Sequence, residues 1–271
     1  MLKTIQHKVE SPLVNMGTIR LRQPIPTEGI EQVDPFILLH HYGPYAISEF
    51  NNPFDLGDAF LMCLWYYKML VKAGDVQWTT AGRGVIHAEG PTKEFVKKGG
   101  TLEGIQLWLN LPAEFKMIPA AYQHIKSEDI PSVKNKDKSI ELKIVAGEQA
   151  DKKGLIKTQT SVNVFTAKAM AEGKMRVALP KTHQSLLYIL DGEVLVNNEV
   201  VLKKGALQMI TFNQDGSAIE FEAQAESNLL IISGEPINEK ITQYGPYVMN
   251  TQTEIMEAMR DYQQGKMGYL Y

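Results

Sequence analysis

Cysteine is almost missing from this 271-residue chain: Cys63 is the sole one, so no internal disulfide is open to it and the core must hold the fold. Long apolar runs are missing too. The longest, Ala59 to Tyr67, has nine residues, whereas a membrane-crossing helix requires about 20, and the opening MLKTIQHKVE has no apolar h-region. These absences lead us to expect a cytoplasmic protein with no membrane partner. Nor does charge of one sign dominate. Lys plus Arg number 28 and Asp plus Glu 31, a net charge of −3, too weak a field to gather a polyanion, which argues against direct nucleic-acid binding. What is present is 44% hydrophobic and 22% charged residues, a globular composition that excludes disordered and fibrous classes. The length suits two ordinary domains or one large one.

Most periodic stretches alternate with period two. In GIQLWLNLP, Ile105, Leu107, Leu109 and Leu111 share one face, and Gln106, Trp108 and Asn110 the other, the signature of a half-buried strand. In LLYILDGEVLVNNEVVLKKGALQMITF, the pairs Asp191-Gly192 and Asn197-Asn198 stand between apolar runs and take positive φ readily, which predicts consecutive antiparallel strands joined by tight turns. One convincing helix lies near the C-terminus. There Thr251 and Glu254 form a capping box and Ile255, Met259 and Tyr262 fall at helical spacing before Gly265, a stripe read as packing. The charged, aperiodic QHIKSEDIPSVKNKDKSI reads as a connection, placing a boundary near Pro131 between domains 1–130 and 131–271. VKAGDVQW from Val71 resembles LKKGALQM from Leu202, and Tyr42-Gly43-Pro44-Tyr45 echoes Tyr244-Gly245-Pro246-Tyr247, so the halves are candidates for duplicated β-domains.

The richest stretch is AGDVQWTTAGRGVIHAEG, Ala73 to Gly90, punctuated by Gly74, Gly82 and Gly84 and ending in His87 and Glu89. Together with DPFILLHHYGP from Asp34, GIQLWLNLP from Gly104 and QYGPYVMNTQTEI from Gln243, it resembles the pirin family over nearly the whole chain. The resemblance implies a mostly β fold of two cupin-type antiparallel β-barrels, a bicupin, here with a short C-terminal helix. It implies an Fe(II)-type ion in the N-terminal cupin, held by a His-x-His pair on one strand and a His and a Glu on another. His87 and Glu89 match the second pair as metal ligands. Residues i and i+2 of a strand face the same side, so one strand can present imidazole and carboxylate to one ion, and such ligands with an open position serve non-haem iron oxygen chemistry. An isolated His-x-Glu reads as polar barrel lining; inside this string it reads as part of an inherited site.

The pattern breaks where family members place His-x-His, followed by Arg-Gly-Phe, shortly after the stretch reading FNNPFDLG here. This chain continues DAFLMCLWYYKMLVKAG, and no His-x-His occurs anywhere in it. Two ligands are therefore missing and iron occupancy is doubtful. The tract Asp58–Lys72 accommodates two readings, a frameshifted or spliced product and a genuine buried strand. Adjacent His40 and His41 face opposite sides of any strand and read as packing; His7, His124 and His183 read as surface or hydrogen-bonded histidines, and Trp78 and Trp108 as core. No catalytic residue is assigned. Three functions follow: a metal-dependent quercetin 2,3-dioxygenase acting on a flavonol, impaired here; a metal-linked regulator with a protein partner; and a degenerate pirin without activity.

Overall fold

The computed structural model describes residues 1–52, 71–87 and 90–268. Its fold is mostly β, with a helix Gln252–Gln263 near the C-terminus. A seven-stranded sheet runs in the spatial order Ile5–Glu10, Gln208–Phe212, Gln184–Asp191, Ser227–Gly234, Val162–Ala169, Ile140–Ala146, Ser132–Lys134. A four-stranded sheet, Lys174–Ala178, Ala218–Ala223, Glu193–Val196, Val200–Lys203, completes the second barrel. Between the two sheets lies a core that includes Phe165, Leu187, Ile189, Val196, Ile219, Phe221, Leu229 and Ile231. The first half of the chain forms a four-stranded sheet, Leu13–Met16, Ile19–Ile25, Phe36–Ile47, Gly100–Leu109, and pairs Val76–Thr80 with Ala121–Ile125.

A second apolar cluster fills the seam between the halves and explains why the strands of the large sheet lack alternation. Leu186 and Tyr188 face the seam while Leu187 and Ile189 face the barrel interior, and Leu230 and Ile232 alternate likewise with Leu229 and Ile231. Strands buried on both faces read as continuous apolar runs. From the other side the seam receives Phe36 and Leu39, with Ile105, Leu107 and Leu109 packed against them, the face that period two assigns to GIQLWLNLP. Leu111 falls beyond the strand, which ends at Leu109.

The two turn pairs do different jobs. Asn197 and Asn198 take φ of 53° and 57° and Glu199 N–H donates to Val196 C=O at 2.9 Å, a tight turn joining Glu193–Val196 to Val200–Lys203. Asp191-Gly192 is not a hairpin: the strands on its two sides belong to different sheets, so the chain turns a corner there. The two echoes also diverge. VKAGDVQW and LKKGALQM each open a strand and deliver Trp78 and Met209 to the same seam cluster. By contrast Tyr42–Tyr45 sits at a register shift within a long strand, whereas Tyr244–Tyr247 closes a hairpin.

Both ends of the described chain cross to the opposite half. Ile5–Glu10 pairs with Gln208–Phe212 in the large sheet, and the buried Lys3 ammonium donates to the carbonyls of Lys181 at 3.1 Å and His183 at 3.0 Å. In return, the chain after Gly234 runs onto the first half: Asn238 N–H donates to Asp34 Oδ2 at 2.8 Å, and Glu239 Oε2 accepts from Ala113 N–H at 2.8 Å. The helix that follows has the expected capping box, with Glu254 N–H donating to Thr251 Oγ1 at 3.2 Å and Thr251 N–H to Glu254 Oε2 at 2.7 Å. A further six-residue helix, Lys93–Lys98, capped by Thr92, has no buried residue and so no apolar stripe to announce it.

Candidate functional site

His87 follows the strand Val76–Thr80 through a turn at Gly82-Arg83, and the chain from Gly84 to His87 has no regular secondary structure. Val85, two residues before it, is buried, and His87 itself is half-buried. Glu89, and with it the shared face expected of His87 and Glu89, lies outside the described residues, as do Cys63 and the tract from Pro53 to Leu70 that holds most of Asp58–Lys72. Among the described residues no three His, Cys, Asp or Glu side chains gather to hold a metal ion.

The loop before His87 is shaped by close approach. Gly82 has φ of 53°, and a side chain there would run into the carbonyl of Ile118, which already accepts from Arg83 N–H at 3.0 Å. Gly84 has φ of 111°, a region that side chains avoid, and the terminal methyl and sulfur of Met267 occupy the place of its missing Cβ, 2.6 Å from where that atom would stand. The loop is thus wedged between the segment at Ile118 and the C-terminal turn.

The other histidines are structurally engaged. His41 bridges the seam: its Nδ1 is 3.0 Å from the Tyr188 hydroxyl and its Nε2 is 3.0 Å from Glu103 Oε1, with the Tyr188 ring set edge-on at 5.8 Å. An ionised Glu103 only accepts, so Nε2 carries the proton and Nδ1 accepts from Tyr188. Burial raises the pKa of Tyr188, which keeps that donor protonated. His40 points to the other face and donates from Nε2 to Gln23 Oε1 at 2.9 Å, while its buried Nδ1 has no hydrogen-bond partner. Burial lowers its pKa to about 4. His124 is paired with the buried carboxylate of Asp75 at 3.2 Å. Main-chain N–H donors from Ser127 and Lys72 to that carboxylate hold its pKa down. His183 lies between Ser161 Oγ and Ser233 Oγ at 3.2 and 3.1 Å, with its pKa lowered chiefly by burial. His7 is exposed on the first strand.

Sequence reasoning did not find Lys116, Tyr188, Glu103 or Met267. The Lys116 ammonium is buried and donates to Asn110 Oδ1 at 2.6 Å; burial lowers its pKa, against the pull of Glu239 and Glu254 from the C-terminal segment. No local pattern marks these residues: Tyr188, Glu103 and Met267 meet partners far away in the chain, and Lys116, six residues from Asn110, is set by the distant Glu239 and Glu254.

With this geometry in view, the comparisons are direct. The pirin family description matches residues 67–109, which span the loop and His87, and the pirin C-terminal cupin domain matches residues 164–268. A pirin-like protein of Solanum lycopersicum is 33% identical over 262 residues, 92% of this chain and 87% of its own. The chain belongs to the pirin family. Another relative, a Pseudomonas aeruginosa protein named for quercetin 2,3-dioxygenase activity, is 37% identical over 193 residues, 71% of this chain and 66% of its own length. A crystal structure named quercetin 2,3-dioxygenase, from Acinetobacter baumannii, superimposes with a TM-score of 0.88 at 30% identity, covering 100% of both chains. The bicupin expectation is met. No helix among the described residues is long and apolar enough to cross a membrane.

Proposed function

We propose that this pirin is a bicupin of the flavonol dioxygenase type whose N-terminal barrel, residues 1–130, keeps His87 and Glu89 of the metal centre but lacks the His-x-His half. Iron is then held weakly and ring opening of quercetin is slow or nil. The observation that carries the reading is the pairing of a family match across residues 67–109 with a sequence that has no His-x-His. Two ligands rarely hold a transition ion against water and competing cellular sites, and losing even an outer partner of a ligand typically costs about 10–100-fold in affinity or activity. Relatives named for quercetin 2,3-dioxygenase support this reaction class. The second barrel supplies packing and shape. A role through a protein partner is the second reading, and it gains weight if the metal site is empty in solution.

The test is to purify the full chain with Fe(II) supplied, count metal per chain by mass spectrometry and follow quercetin absorbance. Substoichiometric iron and little turnover are expected. Stoichiometric iron with sustained turnover abolished by His87→Ala would overturn the impairment and show that residues 53–70 or others complete the centre.

A further inference from the structure

The seam between the halves does not close over apolar side chains along its whole length. One alternation along the strands from Leu186 and Met209, on the same face of the large sheet, stand Gln184 and Thr211. There the sheet faces the loop of residues 29–33 across a cavity of about 320 Å³. Both halves supply its walls, and the walls are fixed. Main-chain hydrogen bonds clasp the loop, Thr27 with Ile30 at 2.8 and 2.9 Å and Val33 with Phe36 at 2.9 and 2.7 Å, and buried Ile30 and Val33 anchor it in the seam. Opposite, the register of the first strand shifts between Ile5, which faces Phe212, and His7, which faces Thr211, so Gln6 is the extra residue of a bulge. Bulges re-aim a side chain and are over-represented next to functional sites; Gln6 lines the cavity. Asn213 and Gln214 are tethered by their amide nitrogens, Asn213 Nδ2 to Thr4 Oγ1 at 2.9 Å and Gln214 Nε2 to the Thr182 carbonyl.

We infer that this cavity binds a neutral saccharide. Among the described residues five carboxamides line it, those of Gln6, Gln32, Gln184, Asn213 and Gln214, and no Lys or Arg does. Its ionisable groups are the exposed His7 and Glu31, so nothing fixed there neutralises a phosphate or carboxylate. The amides offer donors and acceptors side by side. Their tethers leave Asn213 Oδ1 and Gln214 Oε1 as acceptors, and Gln6 Oε1 lies 3.5 Å from Thr211 Oγ1, which leaves Gln6 Nε2 as a donor. Half-buried Gln184 commits neither end of its amide to another described residue. A sugar hydroxyl both donates and accepts and so matches this lining, whereas an apolar ring would leave the amides unpaired. Ligand cavities span about 300–1,000 Å³ and favour junctions between domains; this one, at the small end, suits a small sugar, free or at the end of a glycan chain.

Saturation-transfer NMR on the full chain, with EDTA present, tests this without any activity and independently of the iron reading. The probes are D-glucose, D-galactose, D-mannose and N-acetyl-D-glucosamine, each offered free and, through its anomeric oxygen, on carrier beads. Transfer to at least one free sugar is expected, several-fold weaker for glucose 6-phosphate and glucuronate. Binding of the free form alone marks a small metabolite, and retention on the beads as well marks a glycan end. Gln184→Leu and the exposed Gln32→Ala should each weaken binding several-fold, the latter with no change in Tm. Gln184→Glu keeps the size of the side chain and should turn the preference toward the ammonium of D-glucosamine, a shift that a merely structural glutamine would not give. No transfer to any of the four sugars would refute the site. Transfer unchanged by both Gln184→Leu and Gln32→Ala would refute it too, by placing the sugar elsewhere, and equal binding of glucose 6-phosphate would refute the selection for neutral ligands.

Discussion

Replacing Tyr188 by Phe removes a single oxygen from the seam and leaves the ring where it packs. Tyr188 is 0% exposed and belongs to the shared apolar cluster, so the area it removes from water is unchanged. What is lost is the donor to His41 Nδ1 at 3.0 Å and the hydroxyl's hydrogen bond with the Ser11 side chain. A neutral hydrogen bond contributes about 0.5–1.5 kcal/mol net, and leaving the partner buried and unpaired costs about 1–3 kcal/mol. His41 is 3% exposed and its other nitrogen is engaged by Glu103, so the ring has no cheap rotation that would restore water to Nδ1. The expected loss is about 2 kcal/mol, which lowers Tm by roughly 4–8 °C in a protein of this size. Urea unfolding followed by tryptophan fluorescence, beside thermal melts, measures it. A double-mutant cycle with His41→Leu sharpens the test, because the orphaned nitrogen disappears in the double variant. The two effects should fall short of additive by about 0.5–3 kcal/mol. Additive losses, or a Tyr188→Phe protein indistinguishable from wild type, would show that the His41–Tyr188 contact holds nothing together.

Two further outcomes follow from the same geometry. Thr251→Ala removes the side-chain half of the capping box and should cost about 0.5–2 kcal/mol, seen as faster amide exchange across Gln252–Gln263, while the sheets of the second barrel keep their protection. His40 binds its proton in the unfolded chain near 6.5 but in the fold only near 4. The unfolded state therefore holds more protons between those values, and stability is present above pH 6.5 and lost as pH falls toward 4, by roughly 3 kcal/mol at most. His183 is shifted in the same direction, so the contribution of His40 is read as the difference between wild type and His40→Gln, which should shrink across that window; a constant gap would refute the assignment.

What the sequence shows of this fold depends on whether a residue's neighbours are local. GIQLWLNLP declares its strand and its inward face, since one face meets the seam and the other does not. The runs LLYIL and LLII do not, because both faces are covered and the alternation is erased. Thr251 and Glu254 announce the helix start, three residues apart. Asp191-Gly192 and Asn197-Asn198 have the same local chemistry, yet one turns a corner between sheets and the other closes a hairpin; only the choice of strand partners distinguishes them. The site follows the same rule. His87 is conspicuous within its glycine-rich string, whereas His41 meets Tyr188 across 147 positions and Gly84 meets Met267 from the far end of the chain.

The crossing of both ends bears on how the protein comes off the ribosome. Ile5 finds its partner Phe212 only after about two hundred residues have followed it, and the loop before His87 waits for Met267, near the far end of the chain. The first half therefore emerges with its seam face bare and its terminal strand unpaired, the state in which apolar sheets stick to one another. Contacts so distant in sequence are closed late and slowly. A gene cut at the connection near Pro131 would yield two fragments, each carrying the closing piece of the other, so the halves can be made soluble only together.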